Sequence, residues 1–125
     1  MLALELFVVG GELLANEFAP RVHNSGHWTI EGANSSQFEN HLRAILDLKL
    51  GDTSNRGFAG MENLIGCIPD NLKDLNPNEY FIHDYGKSAR PGRKLGHVNV
   101  VAANQEERLQ RLHKIQKIIE DENLN

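Results

Sequence analysis

The sequence predicts an α+β fold: a β-hairpin plus a helix, then a small antiparallel, barrel-like sheet closed off by a terminal helix. Three observations predict it. Two apolar runs, 2–9 and 12–18, flank the pair Gly10-Gly11, the pattern of a hairpin whose turn requires positive φ. Two helix-start signatures, Ser36-Gln-Phe-Glu39 and Asn104 with Glu107, each precede apolar residues at helical spacing. Between them lie three short apolar stretches, 61–68, 79–84 and 95–102, of strand length.

Taken in order, the strand 2–9 and its partner 12–18 open the chain. The segment 19–29, Ala-Pro-Arg-Val-His-Asn-Ser-Gly-His-Trp-Thr, has no periodicity and much side-chain chemistry, so it reads as a functional loop. A helix over 36–48 follows, with Phe38, Leu42, Ile45 and Leu46 on one face. Residues 49–60 are glycine-rich and polar, a linker or surface loop. In the third strand of the sheet, Val98 and Val100 share a face. The terminal helix carries Leu109, Leu112, Ile115 and Ile119, and the tail from 121 is polar.

With 125 residues, 24% charged and 40% hydrophobic, the chain suits one modest domain or a piece of something larger. No apolar run reaches the roughly 20 residues of a membrane helix. The start, Met1-Leu-Ala-Leu-Glu-Leu, has no basic stretch and carries an early carboxylate, so no secretory leader is expected. One cysteine, Cys67, excludes an internal disulfide framework and points to the cytoplasm. A net charge of −4 argues against a nucleic-acid partner. Apolar residues from position 2, with no polar lead-in, predict a chain cut from a longer one or the product of a truncated gene.

Glu5 and Glu17 carry the chemistry of the hairpin. With a three-residue loop of Gly10, Gly11 and Glu12, Val9 neighbours Leu13 and Glu5 falls opposite Glu17, on the face of Phe7 and Ala15. Directly opposed like charges are destabilising, so a site that keeps them supplies a cation or a proton. Magnesium fits, being a hard ion that takes carboxylate oxygens and bridges to phosphates. From spacing alone the alternative stays open: one glutamate faces solvent in a register differing by one.

The order Glu5, then Asn16-Glu17 and Arg21, resembles the magnesium-binding end of ATP-grasp enzymes. The run Asn16-Glu-Phe-Ala-Pro-Arg-Val-His-Asn-Ser-Gly-His-Trp-Thr29, with Ser36-Gln-Phe-Glu-Asn-His-Leu-Arg43, is similar to the signature of the 5-(carboxyamino)imidazole ribonucleotide synthase family. Tyr85-Gly-Lys and Arg90-Pro-Gly-Arg-Lys-Leu-Gly-His97 are similar to that family's carboxy-terminal motif. The resemblance covers nearly the whole chain. It implies that 1–50 is the end of an ATP-grasp domain, with the metal and substrate loop, and 51–125 a small β-rich domain with its terminal helix. It also implies a reaction: ATP activates bicarbonate as carboxyphosphate, which carboxylates the amine of aminoimidazole ribonucleotide.

Carried onto this chain, the resemblance assigns Glu5 and Glu17 to magnesium, and Asn16 with Glu17 to the phosphates of ATP. Arg21, His23 and Asn24 become catalytic, with Arg21 and His23 also touching substrate. An arginine fork matches carbonate or carboxyphosphate, and an imidazole can hydrogen-bond that species or move a proton. His27 and Trp28 are read as structural, and Ser25 completes the polar cluster. Lys87, Arg90, Arg93 and Lys94 surround the rigid Pro91-Gly92 turn. Such a run is ordinarily a solvated loop or a guard against edge pairing. The resemblance instead implies a clamp for the ribonucleotide phosphate, Lys87 and Arg90 foremost, with Arg93 and Lys94 facing either substrate or nucleotide.

No glycine-rich phosphate loop occurs here, so most of the nucleotide pocket is expected to lie outside these residues and the chain alone to be inactive. A non-catalytic remnant or interaction module is the alternative from another class. Another ATP-grasp enzyme, such as a formate-dependent purine enzyme or a biotin carboxylase, is disfavoured by the His-Asn-Ser-Gly-His run. A homodimer is the expected assembly by the same resemblance.

Overall fold

Turn chemistry and one irregularity build the first element. In this computed structural model, which describes residues 1–123, β1 (Ala3–Val9) and β2 (Glu12–Ala19) form a separate antiparallel hairpin. The turn is Gly10-Gly11, with φ of 60° and 86°, a conformation in which a Cβ would clash with the backbone. Pairing runs from Val9↔Glu12 to Leu6↔Ala15, then shifts by one at a bulge that takes up Asn16, and Glu5 lies opposite Glu17. The expected three-residue loop and the Val9–Leu13 pair are therefore corrected. The opposed carboxylates arise all the same, because the extra residue sits in the strand and not in the turn. Phe7 pairs with Leu14, while Ala15 pairs with Leu6 on the other face.

The segment read as a loop contains a 3-10 turn at Asn24–Gly26 and a single-turn helix, α1 (Thr29–Gly32). Helix α2 (Gln37–Ile45) starts where Ser36 Oγ accepts the Glu39 amide at 3.1 Å. It ends three residues before the expected 48. Asp47 takes a left-handed φ of 53°, and the Leu48 amide reaches back to the Arg43 carbonyl at 2.8 Å, the closing bond of a Schellman motif.

β3 (Phe58–Ile65), β4 (Tyr80–Asp84) and β5 (Lys94–Ala102) make an open three-stranded antiparallel sheet in the order β3-β5-β4. Strand β3 lies three residues earlier than the expected 61–68: Gly66, at φ 84°, turns the chain away. The terminal helix α3 (Gln105–Asn123) begins at Asn104, whose Oδ1 accepts the Glu107 amide at 2.9 Å. Gly60 lies against Leu112 of α3, whereas its neighbour Ala59 lies against Gly32 of α1. Successive strand residues point to opposite faces, so the two helices cover the two sides of the sheet.

The α3 side holds the apolar core: Leu64, Val98, Val100 and Ile115, closed at the end of the sheet by Leu72, Leu75 and Tyr80. Of the apolar residues that α3 carries, Leu109 is 53% exposed, while Ile115 is fully buried. The α1 side is different in kind. There β5 presents His97 and Asn99, both buried. Outside these layers much apolar surface is open, on both faces of the hairpin and along Leu42, Ile45, Leu46, Leu48 and Leu50. Among the described residues, no helix is long and apolar enough to cross a membrane.

Candidate functional site

The hairpin bulge sets up a cluster at its open end. Asn16, the residue it takes up, donates from Nδ2 to Glu5 Oε1 at 2.6 Å, which orients that carboxylate. His23 Nε2 stands 2.8 Å from Glu17 Oε1 and 3.6 Å from Glu5 Oε2. The donor atoms of Glu5, Glu17 and His23 all lie within 4.8 Å of one another. Arg21 NH2 approaches Glu17 Oε1 at 3.6 Å from an exposed position. The other ring nitrogen of His23 faces Ser25, with Oγ at 2.8 Å and the amide at 3.4 Å. The imidazole is thus held by Ser25 on one side and by carboxylates on the other, with only its edge exposed.

The loop bearing His23 is fastened at several points. Gln37, the first residue of α2, accepts the His23 amide at 2.9 Å and donates to the His23 carbonyl at 2.7 Å. Its amide nitrogen also lies 2.7 Å from His27 Nδ1. Asn24 donates to Asn63 of β3 at 2.9 Å and accepts from Lys94 Nζ at 3.0 Å. Asn99 of β5 donates to the His27 carbonyl at 3.0 Å and to Glu31 Oε2 at 2.6 Å. The sequence reading missed Gln37, Asn63 and Asn99. A polar residue such as Asn99, between two core valines on a buried strand, was the available signal, since buried amides are retained when they are bonded.

Behind the loop lies an aromatic layer. His83 and His97 stack at 4.5 Å between centroids, and His27 and Tyr85 pack on His97. Tyr85 Oη is 2.8 Å from His97 Nδ1, and His83 Nε2 is 2.9 Å from Glu31 Oε1. His27, read as structural, belongs to this layer, and Trp28 packs on Gly32. Burial, together with His83 and His27 beside it, holds the His97 imidazole down to about 4. Burial also lowers His27, with His23, Lys94 and His83 adding to the effect.

An acid sensitivity follows from His97. The unfolded chain takes a proton there near pH 6.5 and the folded chain only near 4. Between these values the unfolded state binds more protons, so stability falls as the pH falls. The loss from this group amounts to roughly 3 kcal/mol across the window. Urea unfolding between about pH 7 and pH 4 should show that decline, and His97→Gln should flatten it. An unchanged slope in the variant would assign the effect elsewhere.

Of the four cations near Pro91, only Lys94 reaches the loop, through Asn24. Lys87 Nζ lies 4.9 Å over the Tyr85 ring. Arg93 NH1 donates to the Ser88 carbonyl and hydroxyl at 3.3 and 3.1 Å. Arg90 is exposed and offers its carbonyl to the Arg93 amide. The four therefore do not converge on one point in this structure: Lys94 and Lys87 border the histidine layer, and Arg90 and Arg93 shape the turn.

Residues 1–38 match the family described as ATP-grasp domain, and residues 59–111 the phosphoribosylaminoimidazole carboxylase C-terminal domain. The N5-carboxyaminoimidazole ribonucleotide synthase of Pseudomonas aeruginosa is 48% identical over 120 residues, 96% of this chain and 33% of the relative. The crystal structure of N5-carboxyaminoimidazole ribonucleotide synthetase from Thermus thermophilus superposes with a TM-score of 0.85 at 53% identity, over 94% of this chain and 32% of that one. The N5-carboxyaminoimidazole synthase from Aspergillus clavatus, in complex with ADP and 5-aminoimidazole ribonucleotide, gives 0.83 at 37% identity, over 96% and 35%. The chain spans about a third of the length of the relatives it matches. By sequence and by fold it belongs to the N5-carboxyaminoimidazole ribonucleotide synthase family, as the counterpart of the carboxy-terminal third of those proteins.

Proposed function

We propose that this chain carries the metal end and part of the substrate site of an ATP-grasp carbon–nitrogen ligase of purine biosynthesis. The reaction is the ATP- and bicarbonate-dependent carboxylation of 5-aminoimidazole ribonucleotide, through carboxyphosphate, in the cytoplasm. The observation that carries the proposal is the pairing of Glu5 with Glu17, with Asn16, His23 and Arg21 against them. Two carboxylates on one face offer hard oxygen donors that suit magnesium. Magnesium, when bound, neutralises charge on the phosphates of ATP.

The chain's own residues would do the following. Asn16 holds Glu5 in position and lies at the phosphate end. Arg21, exposed beside Glu17 and donating to the Val22 carbonyl at 3.1 Å, would leave that bond to swing onto a carbonate-like anion and grip it with two parallel hydrogen bonds. His23 and Asn24 present donors and acceptors to the carboxylating species from a loop that Gln37 and Asn63 keep rigid. Lys94 beside Asn24 and Lys87 over Tyr85, with Arg90 and Arg93 on the adjoining turn, would supply positive charge for a ribonucleotide phosphate. The boundary proposed between the metal-bearing part, 1–50, and the β-rich part, 51–125, falls in the segment between α2 and β3. A homodimer is the proposed assembly, with the apolar side of α2 available to it.

The proposal is tested by grafting this chain onto the amino-terminal two-thirds of the Pseudomonas aeruginosa relative. The chimera should release phosphate from ATP only when bicarbonate and aminoimidazole ribonucleotide are both present. Release that ignores the ribonucleotide would refute the substrate assignment. In the same chimera, Lys87→Ala or Arg90→Ala should raise KM for the ribonucleotide roughly 10- to 150-fold, with less effect on KM for ATP, since a charged hydrogen bond to an anion is worth about 1.5–3 kcal/mol. An equal change for ATP would move the clamp to the nucleotide side.

A further inference from the structure

We propose that, with no nucleotide bound, His23 Nε2 joins Glu5 and Glu17 as the third ligand of a zinc-class ion, zinc or cobalt, in preference to magnesium. The inference rests on the reading of Glu5 and Glu17 as metal carboxylates, and it changes which ion the bare site selects. Among the described residues, this is the one place where three such side chains converge, all donor atoms falling within 4.8 Å. Donors on one tetrahedral ion at about 2.0–2.2 Å stand roughly 3.3–3.5 Å apart. The separations from His23 Nε2, 2.8 Å to Glu17 Oε1 and 3.6 Å to Glu5 Oε2, bracket that value. Small side-chain motions suffice to close the set.

Imidazole nitrogen is a ligand for zinc, cobalt and their neighbours, whereas magnesium keeps to oxygen. The surroundings favour a ligating histidine. A metal-bound imidazole needs an acceptor for its other N–H, and Ser25 Oγ is 2.8 Å from His23 Nδ1. The short contact to Glu17 calls for a proton on Nε2. The metal-bound form needs that proton on Nδ1, donating to Ser25 Oγ at 2.8 Å and giving up the longer 3.4 Å bond that Nδ1 accepts from the Ser25 amide, so the switch is a change of tautomer. Asn16 occupies Glu5 Oε1 and leaves Oε2 toward the histidine. The competing charge is Arg21, 3.6 Å from Glu17 Oε1 and exposed enough to move away.

The full chain, stripped of metal, is titrated with cobalt and followed by visible absorption, and with zinc and with magnesium by calorimetry. One cobalt per chain is expected, with the intense bands of a four-coordinate site, displaced by zinc and not by equal magnesium. Ser25→Ala should weaken zinc about 10-fold, as loss of an outer-shell partner does, and His23→Gln should cost more than the roughly 100-fold upper end of that effect. His23→Gln should leave magnesium binding unchanged. Zinc affinity unaltered in His23→Gln would overturn the proposal while leaving the magnesium reading intact. Zinc and magnesium both retained by Glu17→Gln would sink that earlier reading as well. In the unaltered chain the His23 ring nitrogen resonances should move on adding zinc. Unmoved resonances would overturn the proposal even if His23→Gln did not fold.

Discussion

Glu17→Gln, made in the chimera with the Pseudomonas aeruginosa amino-terminal portion, is expected to reduce turnover to background while leaving the fold in place. The amide keeps the size of the side chain and still offers His23 Nε2 an oxygen, so the hydrogen bond that ties the loop to the hairpin survives. What disappears is a full negative charge, and an amide cannot neutralise magnesium as a carboxylate does. Glu5→Gln should be milder, because Asn16 still orients the remaining oxygen. Circular dichroism and saturating-magnesium kinetics check both. Rates close to those of the parent chimera in both variants would remove the metal assignment.

Expressed by itself, this chain should neither release phosphate nor remain monomeric. Two carboxylates hold magnesium weakly, and no glycine-rich loop here would position the γ-phosphate. Positioning contributes roughly 7–11 kcal/mol of barrier reduction in a complete site, most of which a partial site forgoes. The hairpin supplies the second effect. It is a two-stranded ribbon with unpaired edges, and Leu4, Val8, Leu13 and Phe18 are 60–73% exposed. Such a ribbon is marginal alone and invites pairing. Light scattering should report a dimer or larger species. A monomer that releases phosphate with ATP, magnesium, bicarbonate and the ribonucleotide would contradict both expectations.

Local chemistry was legible where it is written in a few adjacent residues. The glycine pair of the hairpin turn and the caps at Ser36 and Asn104 are such cases, because each signal acts over three or four positions. The limits of β3 were missed because Phe58, Ala59 and Gly60 look like loop until the backbone of β5 pairs with them. The exposure of Leu109 was not legible, because helical spacing names a face without saying how wide the sheet beneath it is. The site shows the same division. Glu5 and Glu17 were singled out by their spacing across the turn, and Asn16 and His23 by resemblance. Gln37, Asn63 and Asn99, which hold the loop, lie up to 72 residues from what they bond. No local pattern encodes a partner at that distance.

The bulge at Asn16 has a consequence for how far apart such carboxylates need to be in a chain. Beyond the bulge the side chains of β2 exchange faces, so Leu14 and Glu17, three apart, share the side that also holds Phe7 and Glu5. A hairpin with the same turn, one residue fewer and no bulge would bring its second glutamate to the same place. A hairpin with one more residue in the turn and no bulge would do so too. Sequence intervals of eleven and twelve are thus spatially equivalent here. A motif defined by one fixed interval would overlook chains that build the same pair, and a single-residue insertion near the turn need not separate the two acids.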